Sequence, residues 1–368
     1  MLLGLHPYQA EFLILADVLL MRPRVRVLCL PDLDRAIGGV KQMYRHVEHL
    51  VALGWDAAMI TEAKGFRPSW FQSSSPSLSL AESHSLGELC RDSTILVLPE
   101  TYLGVDLRAF RGLDLSGLAR VVFNQNGYYS YGQAGDDLAL QLQGFYDDSA
   151  VLQVLTISED THTLLQRNLG LEDDRLSRIV NAIEPIFHSD QPRCRRMHWM
   201  PRKNPLDVQA VLMGIQRFGI QHSDAWQGEP LQGLSHSVVA ERLNGASLFL
   251  AFGHPEGFGL PIAEAMAAGC WVVGYSGGGG HELFRFGASE EVAFGDWAAF
   301  VAAVQRAFKA FAEQPRETEL RLQRQALAMR SLYSHEQERR SIAVAWGRIE
   351  KAFGCWKKSH IAAVGDQK

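Results

Sequence analysis

Two glutamates, Glu256 and Glu264, stand eight positions apart in the stretch HPEGFGLPIAEAMAAGC, with a glycine-rich turn between them. An ionised carboxylate accepts hydrogen bonds and does not donate them, so a carboxylate pair suits a ligand with neighbouring hydroxyl groups. Gly257 and Gly259 let a ligand approach the main chain, because no Cβ intervenes. These residue types predict a site for a ribose or a hexose.

The elements around this turn give it a second property. The run SLFLAF (247–252) is a predicted buried strand, and PIAEAMAA is a predicted helix with Pro261 at its start and Gly269 just past its end. Ligands of open parallel sheets bind at the carboxyl ends of the strands, and free N–H groups at a helix start favour phosphate. A main chain that binds phosphate, beside carboxylates that bind hydroxyl groups, indicates that the ligand is a nucleotide-sugar.

A second glycine-rich turn follows the next predicted strand, CWVVGY. The glycines at 277–280 precede Glu282 and form a candidate anion nest, which we expect at the same sheet edge as the first turn. The alternatives are a flexible loop for the glycine run and a helix-dipole role for Glu264. His254 and His281 flank the turns, and a lone histidine is more often structural than a ligand.

Composition excludes several classes of protein. The chain has 368 residues, enough for two domains, and a formal net charge of -5 that argues against a general nucleic-acid binder. Its five cysteines are scattered and form no Cys-x-x-Cys pair, so we expect reduced thiols in a cytoplasmic protein rather than disulfides or a zinc site.

The first twenty residues are apolar but interrupted by His6, Pro7, Glu11 and Asp17. This stretch is too broken to span a bilayer and lacks the basic start of a signal peptide. It is either a short leading helix or sequence upstream of a start at Met21. Together with the basic stretches RLQRQALAMR and QERRS, it leaves peripheral association with the inner face of a membrane open. Solvated helix faces explain the basic stretches equally well, and no oligomeric state is predicted.

The remaining patterns indicate an α/β protein with a parallel, doubly wound sheet in each half of the chain. Residues 24–30 read as a buried strand, and a glycine-rich loop then leads into a helix with Val40, Tyr44, Val47, Leu50 and Val51 on one face. The polar stretch 73–85 is predicted as a surface excursion. Further strands are predicted at 93–100, 119–129 and 150–158, and a charged helical region at 317–358.

The stretch PEGFGLPIAEAMAAGCWVVGYSGGGGHEL strongly resembles the signature of the retaining glycosyltransferases of family 4, which have the GT-B fold. Glu256 and Glu264 match the family's Glu-x7-Glu pattern, and Gly279, Gly280 and Glu282 match its Gly-Gly…Glu segment. Two weaker matches lie earlier in the chain. They are the Gly-Gly-Val loop, with Gly38 and Gly39, and the passage TISEDTHTLLQRNLG…RIVNAIEPIF, which looks like the family's connection between domains.

This resemblance covers about residues 25–311 and implies two Rossmann-like domains facing a cleft, with C-terminal helices crossing back to the first domain. We therefore predict an acceptor-side domain at 1–187, a nucleotide-sugar-binding domain at 188–335 and the returning helices at 336–368.

The resemblance also implies roles for the motif residues. Glu264 would hold the donor's ribose hydroxyls, and Glu256, predicted as a catalytic residue, would face the hydroxyls of the transferred sugar. Main-chain N–H groups near Phe258, Gly259 and Leu260 would meet the diphosphate or the sugar, and positive charge with N–H dipoles would stabilise the diphosphate as it departs. The predicted donor-lining glycines are Gly257, Gly259, Gly38, Gly39, Gly279 and Gly280. No metal and no cofactor besides the nucleotide-sugar is expected.

The sequence departs from the family pattern at several positions. Arg202 and Lys203 stand side by side where the family has an arginine and, a few residues on, a lysine. From a loop both could grip a diphosphate, whereas neighbours on a strand would face opposite ways. We predict both as catalytic, with a solvated basic pair as the alternative. The stretch 205–256 is also short, which indicates that a β–α unit of the second domain is missing or abbreviated.

The first half of the chain supplies further candidates. The family often carries a histidine where this chain reads FNQNGYY, so Asn126 is the predicted replacement, with Asn124 and Gln125 as alternatives. Glu100 and His254 are further predicted acceptor or sugar contacts. The resulting hypothesis is a retaining, hexosyl-type glycosyltransferase with an unidentified acceptor. The alternative is a non-catalytic GT-B subunit that binds a sugar nucleotide.

Overall fold

The computed structural model describes residues 22–132, 137–217 and 225–365. The apolar start of the chain, including Met21, lies outside the described residues. The chain divides into two compact units. Of the described residues, the first unit takes those up to Phe123, those from 137 to Leu155 and those from Ile342 onward, and the second takes Asn124 to Gly132 and Thr156 to Ser341. The C-terminal residues from Ile342 therefore group with the beginning of the chain.

Seven strands form the first sheet, in the order β3-β2-β1-β4-β5-β6-β7. The pairs β2–β3, β1–β2, β1–β4 and β4–β5 are parallel, with Val25 opposite both Ala57 and Ile95. The strands are Arg24–Leu28 (β1), Ala57–Thr61 (β2), Ser77–Ser79 (β3), Thr94–Pro99 (β4), Ala119–Asn124 (β5), Val151–Thr156 (β6) and Leu176–Arg178 (β7).

The helices that accompany these strands are Gly38–Ala52 (α1), Leu80–Ser85 (α2), Tyr129–Gly132 (α3), Leu138–Tyr146 (α4) and Glu159–Leu169 (α5). Short 3-10 turns cover Glu100–Tyr102, Leu107–Ala109 and Asp173–Arg175. In α1, Tyr44, Val47 and Leu50 are buried as the apolar periodicity predicts. Val51, which was placed on the same face, is 41% exposed, because it lies about 100° round the helix from Leu50.

The stretch 73–85 is not the surface excursion that its polar composition predicted. It contains β3 and α2, and Ser75 and Ser83 are buried. Ser79 and Glu82 form a capping box, in which the Ser79 hydroxyl accepts from the Glu82 N–H and the Glu82 carboxylate accepts from the Ser79 N–H. Serines that satisfy a helix start were mistaken for solvent-facing loop residues.

Five strands form the second sheet, in the order β12-β11-β10-β8-β9, with every pair parallel. The strands are Cys194–Trp199 (β8), Gln227–Pro230 (β9), Ala246–Ala251 (β10), Trp271–Gly274 (β11) and Glu290–Glu291 (β12). The helices are Pro205–Arg217 (α6), His236–Asn244 (α7), Leu260–Ala267 (α8), Trp297–Glu313 (α9), Pro315–Leu332 (α10) and His335–Gly365 (α11), and His281–Phe286 is a 3-10 turn.

Strand β9 was not predicted, because each of its residues is exposed and the strand carries no apolar pattern. It lies between α6 and α7, within the short stretch between residues 205 and 256. Residues 218–224 of that stretch lie outside the described part of the chain.

The helices of the second unit cover both faces of its sheet. Helix α6 connects β8 to β9 at one end of the sheet, whereas α7 and α8 connect β9 to β10 and β10 to β11 in the opposite direction along it. Since crossovers between parallel strands are right-handed, α6 lies on one face of the sheet and α7 and α8 lie on the other. Helix α9 packs against α6, and α7 packs against α8. Between α6, α9 and the strands lies an apolar core that includes Phe252, Tyr275 and Phe300. Over the described ranges, every helix is too short or too polar to cross a lipid bilayer.

Candidate active site

The glycine-rich turn between β10 and α8 has the predicted build. Gly259 stands before the helix with φ of 84°, Pro261 occupies its first turn, and Gly269 follows its end with φ of 85°. The N–H groups of Phe258, Gly259 and Leu260 have no protein acceptor among the described residues, as is usual at a helix start. They remain free to bind an anion.

The two glycine-rich turns lie at one sheet edge, because β10 and β11 are adjacent parallel strands. The Glu256 N–H donates to the Gly277 carbonyl at 2.8 Å, and the Gly279 N–H donates to the Glu256 carbonyl at 3.1 Å. A Cβ on Gly279 would lie 2.1 Å from the Gly257 carbonyl oxygen. The second turn therefore needs glycine chiefly so that it can pack against the first.

The N–H groups of the glycine run are largely used inside the protein, which the anion-nest interpretation did not anticipate. Gly278 N–H donates to Ser276 Oγ at 3.3 Å, Gly279 N–H to the Glu256 carbonyl, and Gly280 N–H to the Ser276 carbonyl at 3.0 Å. Gly279 and Gly280 line the first turn through their backbones, and the free N–H groups belong to that first turn.

Arg202 and Lys203 follow β8 on a loop, and both line one pocket with Glu256 and Gly259. The space between the lining residues, part of which is open solvent, is about 460 Å³. Lys203 Nζ lies 2.8 Å from Glu256 Oε1 and donates to the Pro255 carbonyl at 2.7 Å. Because the two residues lie on a loop and not on a strand, both side chains can face the same pocket. They bring two positive charges beside the free N–H groups at the start of α8.

Asn204 holds this basic loop against the first turn. Its φ is 51°, in the left-handed region that asparagine tolerates, and its Nδ2 donates to the Phe252 carbonyl at 2.7 Å and the His254 carbonyl at 3.2 Å. Sequence reasoning missed Asn204, although its position directly after Arg202 and Lys203 offered a signal.

Glu264 lies about one turn inside α8 and is 6% exposed. Its Oε1 lies 3.0 Å from Nε2 of His236, the first residue of α7. The Ser235 hydroxyl caps that helix, and the Phe187 ring meets the His236 ring edge-on at 5.1 Å. A buried carboxylate therefore has one oxygen held by an imidazole. Nothing in the local sequence linked these two residues, which are 28 positions apart.

Glu282, matched to the family's Gly-Gly…Glu segment, is hydrogen-bonded to other groups of the protein. It is buried, Oε1 accepts from Arg178 and from the Tyr333 hydroxyl, and Oε2 accepts from the Glu159 N–H at 2.8 Å. Burial, with the charge of Glu282, raises the pKa of Tyr333 above its usual range. The carboxylate caps the start of α5 and joins it to the second turn.

Asn126 also lies against the first turn. The Gln125–Asn126 backbone packs so closely that a Cβ on Gly257 would lie 1.8 Å from the Gln125 carbonyl oxygen. Asn126 is 5% exposed, and its Oδ1 accepts from the Tyr128 N–H at 3.1 Å, which closes a local turn. Asn124, one of the alternatives, is buried and donates from Nδ2 to Ser130 Oγ.

Tyr128 and Asp160 form a polar pair next to the second turn, and sequence reasoning missed both. A Cβ on Gly278 would lie 2.2 Å from the Tyr128 hydroxyl and 3.0 Å from Asp160 Oδ2. Burial, followed by hydrogen bonding with Asp160, raises the pKa of Tyr128 to about 12. Burial also raises the pKa of Asp160.

His281 and His254, which flank the two glycine-rich turns, have different surroundings. His281 Nδ1 lies 2.7 Å from Glu291 Oε2 on the surface, which favours a structural role. His254 stacks on Phe294 with ring centroids 4.1 Å apart and 18° between planes. Burial, followed by the charge of Lys203, lowers the pKa of His254, so its imidazole is neutral at pH 7.

The other predicted residues belong to the first unit. Gly38 and Gly39 are the first two residues of α1, whose preceding residue, Ile37, makes no side-chain cap. Glu100 follows β4 on a 3-10 turn and is 3% exposed. Glu256, Glu264, Arg202, Lys203 and Asn126 are all residues of the second unit.

Residues 230–325 match the model of the family described as glycosyl transferases group 1. The matched segment contains both glycine-rich turns, Glu256, Glu264 and His236. An alpha-1,6-glucosyltransferase from Actinobacillus pleuropneumoniae serotype 7 (strain AP76) is 45% identical over 47 residues. That match covers 13% of this chain, and the chain spans only 14% of the length of that curated relative.

Solved structures resemble nearly the whole chain. Anabaena Alr3699/HepE, in complex with UDP and glucose, has a TM-score of 0.66 at 13% identity, covering 89% of this chain and 100% of that one. Sucrose-phosphate synthase from Thermosynechococcus elongatus has a TM-score of 0.61 at 14% identity, covering 93% and 100%. The fold is that of the GT-B glycosyltransferases, as the sequence predicted.

Proposed function

We propose that this protein is a glycosyltransferase that moves a hexosyl group from a nucleotide-sugar to an acceptor, with retention of configuration. The observation that carries the proposal is the pocket that gathers Arg202, Lys203 and Glu256 beside the free N–H groups at the start of α8. Cations and helix N–H groups suit a diphosphate, and carboxylates suit sugar hydroxyls.

The charge and hydrogen-bonding capacity of these groups support one arrangement of the donor. The diphosphate lies against the Phe258, Gly259 and Leu260 N–H groups and the two cations. The ribose hydroxyls donate to Glu264, whose second oxygen is available because His236 holds the first. The transferred sugar lies towards Glu256.

In the reaction, the bond between the sugar C1 and the diphosphate oxygen breaks while a bond from C1 to the acceptor oxygen forms. Attack occurs on the face that the nucleotide leaves, and the acceptor's proton passes to the departing diphosphate. Lys203 and Arg202 stabilise the negative charge that develops on the leaving group, and the fixed N–H dipoles add to this without reorganising. We propose that this requires no metal ion, so transfer should persist in EDTA.

The first test is equilibrium binding and donor hydrolysis with UDP-, GDP- and ADP-glucose. UDP-glucose is the first choice, because a structure with the same fold is known with UDP and glucose. A ligand at a hundred times its dissociation constant stabilises a protein by about 2.7 kcal/mol, which a thermal shift detects readily.

The matched variants are Glu264→Gln, which removes the carboxylate, and Glu317→Gln, a glutamate in the first turn of α10, away from the pocket. We expect Glu264→Gln to abolish the shift and Glu317→Gln to keep it. Binding without any donor hydrolysis or transfer would indicate a non-catalytic nucleotide-sugar-binding subunit. No shift with any nucleotide-sugar, in a folded protein, would refute the proposal.

A further inference from the structure

Phe294 is a large apolar side chain that is 52% exposed, on the segment between β12 and α9. Its ring stacks on His254, two positions before Glu256, with centroids 4.1 Å apart. Single exposed apolar residues are common on protein surfaces, so exposure alone carries no conclusion. The stacking on His254, however, places this exposed aromatic ring against the turn that carries Glu256.

The Phe294 ring is held firmly from the protein side. The Tyr275 ring meets it nearly perpendicularly at 5.2 Å, and the Tyr275 hydroxyl donates to Asp207 Oδ2 at 2.7 Å. Tyr275 itself packs against Phe252 and Phe300 in the core. A ring fixed in this way loses little conformational freedom when a ligand covers it.

The stacked pair and Glu264 lie on opposite sides of the sheet edge. Glu264 and His236 are on α8 and α7, whereas Asp207, which anchors Tyr275, is on α6, the helix on the other face. The cations line a pocket with Glu256 at the carboxyl end of β10, and Glu256 is two positions from His254 and eight from Glu264. The same sheet edge thus carries hydroxyl acceptors, an anion-binding centre and a flat apolar surface.

We propose that Phe294, backed by His254, is a stacking platform for the sugar ring carried by the nucleotide-sugar. This rests on the proposed function, in which Glu264 holds the ribose and the central groups hold the diphosphate. The remaining part of such a donor is the transferred sugar, and a pyranose presents an apolar C–H face that packs against an aromatic ring. Glu256, in the same turn, accepts hydrogen bonds from the hydroxyls of that sugar.

The test compares the affinities of UDP and UDP-glucose for the wild type, Phe294→Ala, Phe294→Tyr and Leu327→Ala by calorimetry, using GDP or ADP and their glucose conjugates if the wild type prefers them. Leu327 is a 65% exposed apolar residue on α10 and serves as the matched control. We expect Phe294→Ala to bind UDP-glucose roughly 5- to 10-fold more weakly, from the loss of apolar contact area, and UDP unchanged. Phe294→Tyr keeps the flat ring and should match the wild type, as should Leu327→Ala.

Equal loss of UDP and UDP-glucose affinity in Phe294→Ala would overturn the platform, since it would place the ring at the nucleoside or diphosphate. Unchanged affinity for both would overturn it as well, since the ring would then make no contact with the donor. Failure of the proposed function has a different signature, because the wild type would then bind none of the nucleotides or their sugar conjugates.

Discussion

His236 Nε2 lies 3.0 Å from Glu264 Oε1, so the buried glutamate of the signature is held by the first residue of a neighbouring helix. The contact occupies Oε1 and supplies a donor to a carboxylate that has lost most of its water. His236 is therefore a positioning residue for the proposed donor site.

Removing the His236 imidazole should weaken donor binding. His236→Ala leaves Glu264 without its donor, and losing one partner of a charged hydrogen bond costs about 1.5–3 kcal/mol, or roughly 10- to 100-fold in affinity. His236→Gln retains an N–H donor and should recover most of the affinity, which a merely space-filling role would not explain. The measurement is calorimetric titration with UDP-glucose. His281→Ala, on an exposed histidine, is the control, and equal affinity in His236→Ala and wild type would contradict the role.

Lys203 and Arg202 should contribute unequally to catalysis. Lys203 is fixed by Glu256 Oε1 and the Pro255 carbonyl, whereas Arg202 is an exposed side chain at the same pocket. A fixed charge aimed at a leaving group is worth about 10²–10³ in kcat, so Lys203→Met should lose on that order of activity, and Arg202→Met roughly 10-fold. Steady-state transfer kinetics measure both.

The control for these two charges is Lys309→Met, on the exposed face of α9. Its kinetics should match the wild type, and Lys203→Arg should keep part of the activity because it keeps the charge. If Lys203→Met retained full kcat while only KM rose, the lysine would bind ground state and transition state equally, contrary to the proposed role.

Gly257 should be irreplaceable for packing. A Cβ there would lie 1.8 Å from the Gln125 carbonyl oxygen, a main-chain atom that cannot rotate away. Gly257→Ala should destabilise the second unit by at least about 2 kcal/mol, as overpacking does in well-packed interiors. Gly347→Ala is the matched control, because Gly347 lies within α11 with no atom within 4 Å of its added Cβ. It should stabilise by about 0.5–1 kcal/mol. Calorimetric melting would contradict the packing argument if Gly257→Ala melted with the wild type.

The strand–turn–helix unit that carries Glu256 and Glu264 could be predicted from the sequence, because the apolar run of β10, Pro261 and Gly269 are each typical of their positions in such a unit. The sequence was also sufficient for the pairing of the two turns, which follows from consecutive parallel strands. It could not predict the His236–Glu264 contact or the stacking of Phe294 on His254. Those contacts join residues 28 and 40 positions apart, and their types do not name their partners. The capping box at Ser79 was readable in principle and was hidden by serine-rich composition.

His335 makes stability depend on pH. Hydrogen bonds with Glu184 and then Glu338 raise the pKa of His335 from 6.5 to about 9. A raised folded-state pKa contributes stability that is fully present below about pH 6.5 and is lost as the pH rises through 9. The side chain is 34% exposed, so solvent screening reduces the contribution to about 1–2 kcal/mol. The wild type should therefore be more stable than His335→Gln at pH 6, and the difference should shrink steadily to pH 9.5. Urea unfolding of both proteins across that range measures it. A difference that stayed constant, or grew with pH, would mean that the imidazolium is not what Glu184 and Glu338 hold.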